Sequence, residues 1–315
     1  MKAMQVRAWG QAPETASVPV PGLLDGHSLV RVMAATVGHL DRTIWRGQFL
    51  DPPDLPYVPG IEGSGIVEQS SRFPAGTRVW FRGGGLGTKT DGSWREYCLV
   101  PDPVLDVLPE AVSFETGAGF FSPCTSAWVA LHDVGHLAPQ DHVLVTGAAG
   151  AAGSIVCQLA LAAGAKVTGI VGAAARAADL AEGVRPIVVA RDAPRLPDTV
   201  RADLLIDTVG GAMLAAALPA VVPGGRAVLV GYVGGSALSL DLVQFIQRDV
   251  PLLPLNMLRR EAAGRAAAPL LLGQLARGSL QVRLHGFRFD EAGVALEWLE
   301  SPGHRGRALL VGWDG

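Results

Sequence analysis

Two textures of apolar and polar positions follow one another along the chain. Up to about residue 110, short runs at 5–9, 28–34, 63–68, 78–81 and 95–100 read as strands. Turn formers such as Pro19-Val20-Pro21-Gly22, Asp51-Pro52-Pro53 and Gly83-Gly84-Gly85 separate them. This half predicts a β-rich, barrel-like unit with one long loop around 42–58. From Phe114 the pattern changes. A helical stretch is expected over 114–134, with Pro123 near a helix boundary. Continuous apolar strands at 142–146, 166–171, 186–189, 204–208 and 227–231 then alternate with helices at 150–163 and 174–182. Uninterrupted apolar strands between helices predict a parallel sheet covered on both faces. A further helix is expected at 261–277, followed by short pieces to the C-terminus. The expected division is therefore 1–113 joined by 257–315, with 114–256 between them. No internal repeat is visible.

The sharpest local feature is Val143-Leu144-Val145-Thr146-Gly147-Ala148-Ala149-Gly150-Ala151-Ala152-Gly153. An apolar strand runs into a turn built only of Gly and Ala, and a helix follows. Small residues let the backbone approach a pyrophosphate, and the helix start offers free N–H groups with a partial positive charge. Gly150 and Gly153 stand at the second and third glycines of G-x-G-x-x-G, with Ala148 at the first. Strand before, helix after and a second strand at 166 give the motif its context. That second strand ends in Val171-Gly172-Ala173-Ala174-Ala175-Arg176, with no carboxylate to bond ribose hydroxyls or repel a 2′-phosphate. Arg176 follows within one turn, and a guanidinium suits a phosphate. The expected cofactor is NADPH.

The 315 residues suffice for two domains, and 49% apolar against 17% charged residues can bury large cores. The 40 glycines and 22 prolines are dispersed, which points to many tight connections rather than low complexity. A net charge of −3 gives no electrostatic reason to expect nucleic acid or a membrane surface as partner. Met1-Lys2-Ala3-Met4-Gln5 lacks an apolar signal core, and the most apolar stretch, 143–170, is broken by glycines. Cys98, Cys124 and Cys157 form no C-x-x-C pair, so a reducing, cytoplasmic setting is expected.

Further segments carry a family resemblance. They are Val37-Gly38-His39-Leu40-Asp41, Pro59-Gly60-Ile61-Glu62-Gly63-Ser64-Gly65, Gly92-Ser93-Trp94-Arg95-Glu96-Tyr97 and Thr125-Ser126-Ala127-Trp128. Asp207-Thr208-Val209-Gly210-Gly211, Pro223-Gly224-Gly225-Arg226 and Gly306-Arg307-Ala308 complete the set. Together with the Gly/Ala turn, they resemble the zinc-independent quinone oxidoreductase branch of the medium-chain dehydrogenase/reductase superfamily over essentially the whole chain. The resemblance implies an α/β protein, with a β-rich GroES-like catalytic domain beside a doubly wound Rossmann domain. The positions that hold catalytic zinc in metal-dependent relatives are Gly38, Ile61 and Ser122 here, and no metal is expected.

The resemblance also implies cofactor contacts at Ala149, Gly150, Ala151, Ala152, Gly172, Arg176, Val209, Gly231, Tyr232 and Val233. Asn256 is expected to face the nicotinamide and Arg307 to approach the phosphates. Thr43, Trp45, Phe49 and Tyr57 are expected to line the substrate cleft. His39 is the expected proton donor, because histidine titrates near neutrality. Asp41 is expected to be structural, bonding backbone or an arginine. The expected activity is hydride transfer from NADPH to a small-molecule quinone or α,β-unsaturated carbonyl, since a conjugated acceptor spreads the added charge without help from a metal. A biosynthetic reductase with one particular carbonyl substrate, or a non-catalytic NADPH-binding protein, are the alternatives. The family implies a homodimer paired through an edge of the Rossmann sheet.

Overall fold

A computed structural model describes residues 1–301 and 303–313. Pro302, Asp314 and Gly315, which the expected segment 257–315 includes, lie outside the described residues. In chain order the elements are β1 (Lys2–Gln5), β2 (Glu14–Ser17), β3 (His27–Val37), α1 (His39–Trp45), β4 (Glu62–Ser70), β5 (Arg78–Arg82), β6 (Tyr97–Pro101), β7 (Leu105–Val107) and α2 (Phe114–Gly119). There follow α3 (Phe121–Trp128), β8 (His142–Val145), α4 (Ala151–Ala162), β9 (Lys166–Val171), β10 (Arg185–Val188), β11 (Ala202–Asp207), α5 (Gly211–Ala217) and β12 (Val221–Leu229). Last come α6 (Leu242–Arg248), β13 (Leu252–Pro254), α7 (Glu261–Ala276), β14 (Leu284–Phe287), α8 (Ala292–Trp298) and β15 (Arg307–Val311).

The chain forms two compact units, Met1–Phe121 with Val282–Gly315, and Ser122–Gln281. The first is organised by β3, which bonds β15, β4 and β6, all antiparallel. Its seven-stranded sheet runs β14-β15-β3-β4-β5-β7, with β6 attached to β3. The alternating positions close on one core that includes Val30, Val32, Val67, Phe81, Trp94, Phe289, Leu296 and Leu310. The C-terminal β15 thus completes the sheet begun by the first 110 residues.

In the second unit six strands pair in the order β10-β9-β8-β11-β12-β13, every pair parallel. Sequence order runs outward from β8 in both directions. The switch between β8 and β11 leaves a crevice beyond their carboxyl ends, where ligands bind in such sheets. Leu144, Ile170, Leu205, Ile206, Ala227 and Val228 are buried, as expected for strands covered on both faces. Among the described residues no helix is long and apolar enough to cross a membrane.

Several local readings change. The stretch 114–134 is not one helix but α2, α3 and a π-helical turn, Val129–Val134. Pro123 sits in the first turn of α3, where its missing N–H leaves no bond unmade. The stretch 174–182 is a 3₁₀ helix, Ala174–Asp179, ended by extended Leu180. The loop at 42–58 is preceded and entered by α1. The first strand stops at Gln5, and Val6 instead makes an isolated bridge to Tyr57. The contact boundaries fall at 121/122 and 281/282 rather than 113/114 and 256/257. Helix α2 packs on β3 and β4 of the first unit, whereas Gly264 of α7 packs against Thr125 and Met257 in the second.

Candidate active site

The Gly/Ala turn lies at the switch point of the parallel sheet. Gly147 has φ +61°, a left-handed conformation that side chains disfavour. The demand for glycine thus falls one residue before Ala148, the first position of the motif as read from sequence. Gly153 is fixed by proximity, since a Cβ there would lie 2.3 Å from the Gly147 carbonyl oxygen. Gly150 caps α4 in extended conformation without a side-chain bond, so the first N–H groups of the helix remain available. A turn whose glycines pack against neighbouring protein atoms, beside an uncapped helix start with free N–H groups, fits a diphosphate.

Two further turns converge on this one. Asp207 closes β11, fully buried. Its Oδ1 accepts from Thr146 Oγ1 at 2.5 Å, and its Oδ2 accepts from the Gly210 N–H at 2.8 Å. One carboxyl therefore joins the turn after β8 to the turn after β11. Val209 is next to Gly147, and the Gly234 N–H donates to its carbonyl oxygen. Gly231 is fixed against the Thr208 backbone, where a Cβ would lie 2.5 Å from the carbonyl oxygen. Tyr232 and Val233 are exposed, at 77% and 65%, so their side chains are open to a ligand. Ala149, Gly150, Ala151, Ala152, Val209, Gly231, Tyr232 and Val233 thus belong to one region of the second unit.

Gly172 and Arg176 approach the same region from β9. Arg176 Nη2 donates to the Ala149 carbonyl oxygen at 2.8 Å, and its Nε lies 3.1 Å from Asp179. This arginine is engaged in holding the turn. Sequence reasoning passed over Arg191, which lies so close to Gly172 that a Cβ there would be 2.9 Å from its Nε. Arg191 is exposed, and among the described residues it has no hydrogen-bond or ion-pair partner. The signal was available in the topology, because β10 pairs with β9 in parallel, Val188 beside Val171. Residues that follow the two strands must then emerge side by side. Asn256 is exposed and caps its own turn, accepting from the N–H groups of Leu258 and Arg259.

The first unit holds the expected substrate residues. Helix α1 starts at Gly38, whose N–H donates to Asp41 Oδ2 at 2.8 Å. Thr43 Oγ1 donates back to the His39 carbonyl oxygen. Trp45 and Phe49 pack on a small apolar cluster of Val6, Ile44 and Tyr57. Tyr57 is 3% exposed and its hydroxyl is buried without a hydrogen bond. These residues form a packed wall rather than scattered surface aromatics. Arg307 is also in this unit and is buried. It donates to both Glu62 carboxylate oxygens, at 3.3 and 2.8 Å, and to the Gly119 carbonyl oxygen at 3.0 Å.

Electrostatics separate two neighbours on α1. The pKa of His39 is lowered from 6.5 to about 4, first by desolvation and then by Arg42, His304 and Arg307. The ring keeps solvent access, which softens the drop, but the direction leaves it neutral at pH 7. It therefore holds no extra proton to donate there. Asp41 moves the other way, raised from 3.8 to about 7 by burial and then by the charge of Glu62, against the opposing N–H groups and Arg307.

Residues 24–110 match the family described as "Alcohol dehydrogenase GroES-like domain", and residues 151–271 match "Zinc-binding dehydrogenase". The chain is similar to a quinone oxidoreductase of Pongo abelii, 33% identical over 180 residues, covering 55% of this chain and 53% of that one. It thus spans about half the length of that relative. An acrylyl-CoA reductase of Ruegeria pomeroyi is 32% identical over 226 residues, covering 68% of each chain. A crystal structure of a Pseudomonas syringae quinone oxidoreductase superposes with a TM-score of 0.84 at 26% identity, over 99% of both chains. The glycine cradle, the parallel sheet order and these matches agree: the chain belongs to the medium-chain dehydrogenase/reductase superfamily, in its quinone oxidoreductase branch.

Proposed function

We infer that this chain is an oxidoreductase that binds NADPH and reduces a quinone or an α,β-unsaturated carbonyl without a catalytic metal. The observation that carries this reading is the backbone cradle of residues 147–153 at the switch point of the parallel sheet. When bound, NADPH supplies the hydride. The chain's own residues bind and orient: the N–H groups at the start of α4 face the diphosphate, while Val209, Gly231, Tyr232 and Val233 border the rest of the cofactor.

The preference for NADPH rests on the carboxyl end of β9. No carboxylate stands there to bond ribose hydroxyls, and Arg176 and Arg191 flank Gly172. The metal-free reading rests on the donor set: Gly38 has no side chain and Ile61 offers only carbon. A conjugated acceptor then suits the site, because its own π-system spreads the charge that a metal would otherwise steady. The similarity to an acrylyl-CoA reductase, whose name denotes a conjugated thioester, supports this acceptor class. Trp45, Phe49 and Tyr57 supply an apolar wall for it.

A homodimer and a reducing, cytoplasmic setting belong to the same reading. β13 is an edge strand, and α6, packed on β12, exposes Leu242, Val243 and Ile246. Cys98, Cys124 and Cys157 are free and buried. A second reading, NADPH binding without turnover, draws support from the neutral His39.

NADPH oxidation followed by absorbance across a panel of quinones, enones and aldehydes tests the proposal. Turnover of quinones or enones, retained in chelator, is expected. Faster turnover with NADH, or loss of activity in chelator, would refute the cofactor or the metal-free reading respectively. Tight NADPH binding with no acceptor reduced would favour the second reading.

A further inference from the structure

The proposed reaction needs a proton source, and α1 carries a buried carboxyl that has no role in it so far. Asp41 is 1% exposed. Its Oδ2 accepts the Gly38 N–H, the Ile61 N–H adds a weaker pull toward the ionised form, and its Oδ1 has no partner within hydrogen-bond geometry. Among the described residues it makes no salt bridge. The nearby cations serve a second buried carboxyl instead: Glu62, also 1% exposed, takes both arms of Arg307 and lies 3.9 Å from Arg82. An ionised carboxylate without a cation is costly in such a place, and two adjacent carboxylates resist a second negative charge. The geometry therefore divides the pair. Glu62 is the ion that locks β4 to β15, and Asp41 is the neutral acid.

Two features flank Asp41. The first is Gly38, which is partly exposed. The space its side chain would take is bounded by Asp41 Oδ2, 3.3 Å from a notional Cβ, and Arg307 Nη2, 3.6 Å away. The second is the Tyr57 hydroxyl, itself buried and without a partner, whose ionisation Asp41 opposes. The titratable and charged groups that face Asp41 are Glu62 of β4, Arg307 of β15 and Tyr57, with His39 and Arg42 on its own helix.

We propose that Asp41 stores the proton that completes reduction of the acceptor, releasing it through the partly exposed Gly38 notch. This rests on the enone or quinone reductase reading. The acceptor gains a hydride from NADPH, its conjugated electron pair moves to oxygen, and Asp41 supplies the proton. Asp41 is left as a carboxylate and is reprotonated by solvent. It acts through water, so it is a proton-holding residue and does not touch the substrate.

The test begins without turnover. Infrared difference spectra of the cofactor-free protein, taken from pH 5 to 9, read the carbonyl stretch of protonated carboxyls directly. A buried acid that titrates near neutrality is expected, with its band absent from Asp41→Asn. Asp207 is a second buried acid whose pKa burial raises. In Asp207→Asn the Asp41 band should persist, which keeps the assignment open to refutation if Asp41→Asn does not fold. No protonated band at pH 6 outside Asp207 would overturn the proposal. In turnover, kcat should fall about tenfold per unit above the pKa of Asp41 in the parent chain. It should be about 100-fold lower and flat in Asp41→Asn. Identical pH profiles for the two would also overturn the proposal. If no acceptor is reduced at all, the enzyme reading fails while the infrared result still stands.

Discussion

Arg191 lies beside Gly172 with no partner among the described residues, so its guanidinium is free to answer a 2′-phosphate. Arg191→Ala should lose about 10- to 100-fold in affinity for NADPH and little for NADH, read by fluorescence titration, since a charged hydrogen bond contributes about 1.5–3 kcal/mol. Equal losses for the two cofactors would remove the 2′-phosphate role from that residue. Arg176→Ala should weaken both cofactors, because it also frees the turn. Arg176 was legible as a phosphate partner from its place after β9. Its bonds to Ala149 and Asp179 were not, because they depend on how a 3₁₀ turn folds back on the glycine cradle. Thiol chemistry belongs to this scale too. Cys98, Cys124 and Cys157 have no exposed surface, and burial raises the pKa of Cys98 and pushes that of Cys157 up to about 12. A thiol reagent should label none of the three until the protein is denatured.

Among the elements, those with long apolar runs were the most readable. β8, β9, β11 and the end of β12 at 227–229 are mostly buried on both faces, so those stretches carry a nearly continuous apolar signal. Helix α1 escaped notice because its seven residues bury only Asp41 and Ile44, too few for an apolar stripe. α6 escaped for a related reason, since its apolar residues face outward. The turn between β8 and α4 was found because composition and context coincide there. Its critical contact, Gly153 on Gly147, leads to a sharp expectation. Gly153→Val should cost about 1–3 kcal/mol of stability by overpacking and abolish dinucleotide binding, measured by thermal unfolding and titration. If the Gly153→Val chain binds NADPH normally, the cradle is not where the diphosphate sits.

At the scale of the whole molecule, two residues two positions apart on α1 give opposite pH dependence. Asp41, raised from 3.8 to about 7, keeps a proton that the unfolded chain has lost, so stability falls as pH rises between those values. His39, lowered from 6.5 to about 4, stays neutral where the unfolded chain is protonated, so stability falls as pH drops through that window. The two slopes oppose each other between about pH 4 and 6.5. Asp41→Asn should tilt the melting temperature upward with pH relative to the parent chain, and His39→Gln should tilt it downward. Unchanged slopes in both would mean that neither shift exists. The change of texture gave away the two-unit plan and the return of the C-terminal segment to the first unit, but the register of β15 against β3 follows from pairing that no local pattern encodes. Everything functional rests on the cradle at the head of α4. Calorimetric titration of the purified protein with NADPH and with NADH tests it most directly. One dinucleotide should bind per chain, tighter for NADPH, with no heat from either with Gly153→Val. Absence of binding by the parent chain, or tighter binding of NADH, would contradict it.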